Sequence, residues 1–273
     1  MALIYHGGFG MAQDKTTDDP ILQISPVGDL TGLVKAAQQA LNHFGCREIW
    51  FRGHANASWH LSPVLFRPEC ASAQERRLSQ LFMRDAPIRH ANCPGSSAPE
   101  AFDWLSLMRH YRLPTRLLDW STSIQVAAHF AVSAPDDESD AAIWVLQGDS
   151  LSACHGPQSG LYHPATPVVA RIAQAGLNGG EVPDVVLPVI PTAFDLRMLV
   201  QQSRFTIHGS RMPLEDFSQA GRYLAKITIP RKDARKILRN ALRLLGTRRS
   251  ALFPDLDSLA KELAANESIP ENA

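Results

Sequence analysis

Apolar positions Leu30, Leu33, Val34, Ala37, Leu41 and Phe44 recur at the spacing of one helix face, which predicts an amphipathic helix across them. Asp29 has the side chain of an N-cap, and Gly45 the backbone freedom of a helix stop. Glu48 to Gly53 is short, aromatic and closed by glycine, so it predicts a strand that carries Arg52 to its end. Helices are predicted at Ala73 to Arg84 and at Pro99 to His110, with Cys93 to Pro99 as a Pro/Gly/Ser loop between them. Leu113 to Ser123 reads as a turn feeding a helix over Ile124 to Val132, in which Val126, Ala127, Phe130 and Ala131 share one face. Strands are expected at Ala142 to Leu146, Val185 to Val189, Phe205 to His208 and Tyr223 to Ile229. Gly148 to Gly180 is interrupted by Gly, Pro and Ser and reads as a long irregular connection, a kind that is often functional. A basic amphipathic helix, Lys232 to Leu245, stops at Gly246, and Pro254 precedes a last short helix from Asp255 to Leu263. These elements predict one α+β domain over residues 21–265, with a mixed or antiparallel central sheet flanked by helices. A flexible leader is expected at residues 1–20 and a frayed tail at 266–273.

Composition narrows the partners. The 273 residues are 45% hydrophobic and 20% charged, enough for a core without disulfides or metals. Lys plus Arg equals Asp plus Glu at 27 each, so no global field draws the chain to nucleic acid or an anionic membrane. Cys46, Cys70, Cys93 and Cys154 show neither a Cys-x-x-Cys pair nor zinc-finger spacing, which reads as reduced thiols in a cytoplasmic protein with no metal site. The opening MALIYHGGFG lacks a basic region followed by an apolar run, and no membrane partner is expected.

Two clusters carry candidate chemistry. Arg52 ends a strand, where its planar fork either binds an anion or pairs with an internal carboxylate such as Asp119. His54, Trp59 and His60 follow it, residue types that more often pack than catalyse or stack. Further on, His110, Tyr111, Thr115, Arg116, Asp119, Trp120, Ser121, Thr122 and Ser123 crowd into one turn and a helix start. Free N–H groups there, with three hydroxyls and Arg116, suit an anion or a ribose, while Ser121 or Ser123 is also placed to cap the helix.

Phe51-Arg52-Gly53, with Trp59 and Leu61-x-Pro63 downstream, and His110-Tyr-x-Leu-Pro-Thr-Arg-Leu-Leu-Asp-Trp-Ser-x-Ser123 with Ala127 and Phe130-Ala131 resemble the FRG-domain family. Arg197-x-x-x-Gln201-x-x-x-Phe205-Thr-Ile-His208 and Leu252-Phe-Pro-Asp-Leu-Asp257-x-Leu look like the same family, so the resemblance spans roughly residues 30–263. Arg109 and Arg112 stand where that family usually has Gln and Gly, and Ser121 where Thr is more usual. More distantly, Phe51-Arg52-Gly53, then Trp120-Ser-Thr-Ser123 with Ala127 and Phe130, then Gln201 before Phe205 is similar to the motif order of bacterial ADP-ribosyltransferases. That likeness implies a split sheet and NAD as co-substrate. It also implies that Arg52 holds a phosphate or ribose oxygen, that Ser121 and Ser123 brace the nicotinamide pocket, and that Gln201 hydrogen-bonds the ribose. Phe51, Gly53, His54, His110, Thr115, Arg116, Asp119, Trp120, Thr122, Phe205 and His208 are expected around them. A macromolecular ADP-ribose acceptor and a toxin or anti-phage role follow by analogy. No Glu-x-Glu stands near Gln201, so the carboxylate for a developing cation has no obvious source.

Other readings use the same residues. A hydrolase would take a hydroxyl from Ser121 to Ser123, with His110 or His208 as base and Asp119 as orienter, although the chain has no Gly-x-Ser-x-Gly elbow. The carboxylates Asp136, Asp137, Glu138 and Asp140 sit in a solvated turn and make a poor metal centre. A non-catalytic module would bind a nucleotide, or nucleic acid along Arg231 to Arg243. The plainer alternative for that helix packs Ile237, Leu238, Ala241, Leu244 and Leu245 on the sheet.

Overall fold

The computed structural model describes residues 19–267 except 71–73, 92, 96, 98–99, 135–137 and 194, and the side chain of residue 265. The leader up to residue 18, the tail from 268, the starts expected at Ala73 and Pro99, and Asp136 and Asp137 therefore lie outside the described residues. In chain order the elements are β1 (Leu22–Ile24), α1 (Leu30–Phe44), β2 (Trp50–His54), α2 (Glu75–Asp85), α3 (Ala101–His110), β3 (Leu117–Ser121), α4 (Ile124–Val132), β4 (Ala141–Leu146), α5 (Gly148–His155), α6 (Pro167–Asn178), β5 (Val186–Val189), α7 (Leu196–Val200), β6 (Ser203–His208), β7 (Leu224–Ile229), α8 (Asp233–Leu244), α9 (Arg249–Leu252) and α10 (Leu256–Asn266).

The strands form one mixed sheet of order β1-β7-β4-β2-β3-β6-β5, the α+β arrangement expected. Among the described strands β1 and β7 pair in parallel and the other ladders are antiparallel. Cross-strand register sorts the side chains. Phe51 faces Val145 and Ser121, and Asp119 faces Phe205, so β2 and β3 present Phe51, Gly53, Leu117, Asp119 and Ser121 to one side. On that side two cores stand apart. One packs α1, α4 and α8 on β2, β4 and β7, around Phe51, Ala127, Ile143 and Leu238. The other packs α3 and α6 on β3, β5 and β6, around Leu105, Leu117, Ile172 and Phe205. The opposite side buries Trp50, Leu118, Trp120, Trp144 and Tyr223, partly under α5.

The helix ends follow their sequence signals. Asp29 accepts from Gly32 N at 2.7 Å, and Gly45 closes α1 in the left-handed region with φ 59°. Gly53 marks where α4 meets the sheet, because a Cβ there would lie 1.9 Å from the Ala127 carbonyl oxygen and 2.7 Å from Ala131 N. Ala127 and Ala131 are the matching small residues of the helix, both buried.

Three expectations are corrected. Leu117 to Ser121 is not a turn but a central strand: Leu117, Leu118 and Trp120 are buried on both faces, which hides the two-residue period. Gly148 to Gly180 contains α5 and α6, and Gly176 serves close packing, since a Cβ there would come within 2.8 Å of Glu75 Oε1. On α8 the buried apolar residues are Leu238 and Leu242, whereas Ile237, Leu244 and Leu245 are exposed. Three arginines of the α8 region hold the end of α4 and the segments beside it. Arg239 donates to the carbonyls of Val132 and Ala134, Arg235 to those of Ala55, Ala131 and Ser139, and Arg231 to Glu138 O. Their hydrogen bonds complete orphan carbonyls, so they are structural donors first. Among the described residues no helix is long and apolar enough to cross a membrane.

Candidate active site between two cores

Between the two cores lies a cavity of about 280 Å³. Its floor is β2 and β3; Val126, Ala127 and Phe130 of α4 wall one side, Arg109 of α3 and Arg112 just past its end another, and Arg197 of α7 and Gln201 at its C-cap enter from a third. The gap arises because β2 and β3 share a single pairing, Phe51 with Ser121, while β2 and β4 share five. Where the ladder stops, a side chain takes over: Arg52 Nη1 donates to the Asp119 carbonyl at 2.7 Å, and Arg52 Nε donates to His54 Nε2 at 3.0 Å.

Among the described residues Asp119 is the one carboxylate on the cavity wall, beside four arginines, Arg52, Arg109, Arg112 and Arg197. Arg109 reaches its Oδ2 with Nη2 at 2.6 Å and Nε at 2.9 Å, and Arg52 Nη1 stands 3.7 Å from the same oxygen. Among the described residues these contacts leave Oδ1 unengaged, on a side chain that is 40% exposed. Burial pushes the Asp119 carboxyl up, but Arg109 and Arg52 together outweigh it and hold it below the ordinary carboxylate range. Burial lowers Arg52 to about 10, against the pull of Asp119, so it stays a cation at neutral pH. Of the two alternatives for Arg52, the pairing with Asp119 is the one present, and the guanidinium also lines the cavity.

Gln201 ends α7 and donates from Nε2 to the Leu252 carbonyl at 2.8 Å, which turns its Oε1 into the free, accepting end. Ser121 Oγ donates to the Gln201 carbonyl at 2.7 Å and accepts from Ser123 N at 3.0 Å, so it fixes the α7 end against β3. Ser123 caps α4 by accepting from Val126 N. Phe253, just past α9, carries Arg197 over its ring at 4.5 Å and packs edge-on against Phe130.

Arg52, Ser121, Gln201, Phe51, Gly53, Asp119 and Trp120 are therefore brought together. The remaining expected residues stand elsewhere. Ser123 and Thr122 face the helix start and Gln202, to whose Oε1 Thr122 Oγ1 donates. His110 pairs with Asp195 at 2.9 Å and gives its carbonyl to Arg197, a layer behind the cavity. Thr115 is buried and accepts from Leu117 N, and Arg116 forms a buried pair with Glu75 of α2. Phe205 packs on Phe102 in the core. His54 and His208 lie on the sheet's other side, fully packed, with His208 Nε2 held by Thr206 Oγ1 at 2.9 Å. This spread scatters the hydrolase constellation, since neither His110 nor His208 reaches a Ser121 to Ser123 hydroxyl.

Sequence reasoning took Arg109 and Arg112 only as departures from a family pattern and left Arg197 as a motif residue. All three line the cavity. The signal for Arg112 was its place at a usual glycine: its φ is 66°, the left-handed backbone that favours glycine.

No curated protein and no solved structure matches the chain. The FRG domain model matches residues 47–140, the stretch from β2 through α4 that supplies the cavity floor, Arg109, Asp119 and the α4 wall. The later stretches with Arg197, Gln201 and Leu252 lie outside that match. Residues 47–140 of this chain are an FRG domain.

Proposed function

We propose that the cavity takes the ribosyl end of NAD and that the chain cleaves the bond between nicotinamide and ribose, passing the ADP-ribosyl group to water or to a macromolecular acceptor. The observation that carries the reading is the meeting of Arg52, Ser121 and Gln201 in one cavity with Asp119, although they are spread from residue 52 to residue 201 of the chain. The C1′–N bond breaks, its electron pair leaves with the neutral nicotinamide, and C1′ becomes oxocarbenium-like. Water or the acceptor then adds and releases a proton. Such a step needs placement and charge stabilisation more than a nucleophile.

Each side chain has a role in that step. Asp119, kept ionised by its arginines and lining the cavity with one carboxylate oxygen outside the grip of Arg109, supplies the carboxylate that no sequence neighbour of Gln201 provides. Gln201 Oε1 accepts from a ribose hydroxyl, because its amide nitrogen is spent on Leu252. Arg109, Arg112 and Arg197 attract the pyrophosphate. Ser121, with both its donor and an acceptor used, positions Gln201 rather than attacking. A second reading, nucleotide binding without turnover, draws on the same engagement of Ser121 and on the neutralisation of Asp119 by Arg109.

Nicotinamide release from NAD by the full chain, compared with Arg52→Ala and Gln201→Ala, tests the proposal. Turnover that drops at least tenfold in each variant supports it. No release with or without a candidate acceptor, or equal release from all three proteins, overturns it, and nucleotide binding without release leaves the second reading.

A further inference from the structure

We infer that Trp59 is the stacking platform for the adenine ring of a nucleotide whose phosphates lie over Arg112 and Arg197, an assignment that rests on the nucleotide reading of the cavity. Trp59 is one of five tryptophans, and the other four, Trp50, Trp104, Trp120 and Trp144, are 4% exposed or less. Trp59 is 50% exposed and lines the mouth of the cavity next to Arg52, Gly53 and Ala55. An indole half in water gives up burial that the fold grants every other tryptophan.

The turn that carries the ring is pinned. Asn56 Oδ1 accepts from Ser58 N at 2.8 Å and Ser58 Oγ at 2.7 Å, and Trp59 N donates to the Asn56 carbonyl at 3.2 Å. Ala57 is tied twice, its N–H to Asp140 O at 2.7 Å and its carbonyl to Lys226 Nζ at 2.7 Å. The indole meets His54 at 6.1 Å between centroids and 62° between planes, an edge contact. A flat, exposed indole with two side-chain torsions, carried on a pinned turn and backed by His54, has little rotamer freedom to lose on binding, which is the property of a stacking surface.

The size of the cavity selects the ring. About 280 Å³ falls at the lower end of small-ligand sites and holds one nucleoside-sized group, so the second nucleoside of a dinucleotide must lie at the mouth. With the ribose that reacts inside, next to Asp119 and Gln201, the group at the mouth is the adenosine, and the aromatic surface there is Trp59. Arg112 and Arg197 on the cavity wall then face the phosphates that join the two ends.

The test titrates the full chain with ADP, inorganic pyrophosphate and nicotinamide mononucleotide, by calorimetry and by the long-wavelength tryptophan emission of exposed Trp59. Wild type, Trp59→Ala and Trp59→Phe are compared. The expected result is quenching by ADP and about a tenfold loss of ADP affinity in Trp59→Ala, the order of one base stacked on an aromatic ring. Trp59→Phe should stay within about threefold of wild type. Pyrophosphate and nicotinamide mononucleotide should bind all three alike. ADP bound equally by wild type and Trp59→Ala overturns the assignment and leaves the cavity reading standing. A Trp59→Ala loss shared by pyrophosphate also overturns it, by showing a distorted site. If none of the three ligands binds wild type, both readings fall. If ADP binds through Trp59 but NAD is not cleaved, the stacking assignment stands and the catalytic reading falls.

Discussion

Arg109 grips a single oxygen of Asp119, with Nη2 at 2.6 Å and Nε at 2.9 Å, and leaves the other oxygen for whatever enters the cavity. The geometry differs from a two-oxygen fork, which would close both lone-pair edges of the carboxylate to a ligand. Asp119 joins Arg109 on α3 to Arg52 on β2, so one carboxylate ties both cores to the cavity.

Removing Arg109 should therefore both loosen the fold and swing Asp119. Arg109→Ala is expected to lower stability by about 1–2 kcal/mol, a charged hydrogen bond discounted for the exposure of Asp119. Asp119→Asn keeps the shape and removes the charge, and should cut nicotinamide release at least tenfold. Urea unfolding and the release assay on both variants check the two effects. A stable Asp119→Asn protein with wild-type turnover would remove Asp119 from the chemistry.

Arg112 carries a left-handed backbone, φ 66°, without being glycine. That conformation costs a side-chain-bearing residue about 1–2 kcal/mol, part of which a glycine would give back through its freer unfolded chain. Arg112→Gly should thus hold or raise stability, by up to about 1 kcal/mol, while weakening binding of pyrophosphate. Thermal melts with and without pyrophosphate separate the two effects. Marked destabilisation would show that the guanidinium matters more than the backbone strain.

Gly53→Ala places a methyl group 1.9 Å from the Ala127 carbonyl oxygen. Backbone lies on both sides of the contact, so α4 must lift from β2, at a cost of about 3 kcal/mol or more. Loss of cooperative unfolding or insoluble expression is the expected outcome. A variant as stable as wild type would mean that α4 does not sit against β2 as described.

Acid should unfold the protein through its buried histidines. Burial lowers His208 to about 3 and His155 to about 4, and burial with the nearby Arg52 drives His54 far below its usual range. Their native forms stay neutral while the unfolded chain titrates near 6.5. Their contribution is therefore complete above about pH 6.5 and falls as pH drops toward about 4, by about 1 kcal/mol per pH unit for each fully buried histidine. Denaturant unfolding at several values between pH 7.5 and 4.5 measures the slope, which should be shallower in His208→Gln. An unchanged slope would assign the acid sensitivity to other groups.

Local signals carried much of the fold. The helix of Leu30 to Phe44 with its Asp29 and Gly45 caps, a strand through Phe51-Arg52-Gly53 and the helix after Ser123 follow from period, capping chemistry and residue type, all properties of a few adjacent residues, although the strand runs on to His54 and holds Arg52 at its middle rather than its end. The strand Leu117 to Ser121 was not legible, since burial on both faces removes alternation and the polar residues at its end imitate a turn. Nor were α5 and α6, because Gly176 is there for the approach of Glu75 and Arg116, and a sequence gives no sign of which neighbour a glycine admits.

The candidate site divides the same way. By itself the sequence determined the Phe51-Arg52-Gly53 and Asp119 to Ser123 landmarks and the FRG domain they mark, because those motifs are contiguous. Only the tertiary structure decided that Arg109, Arg112, Arg197 and Trp59 join them while Arg116, His110 and His208 do not. The direction of each side chain is set by strand register and by the gap that opens after Phe51 pairs with Ser121, and both depend on contacts between residues far apart in the chain.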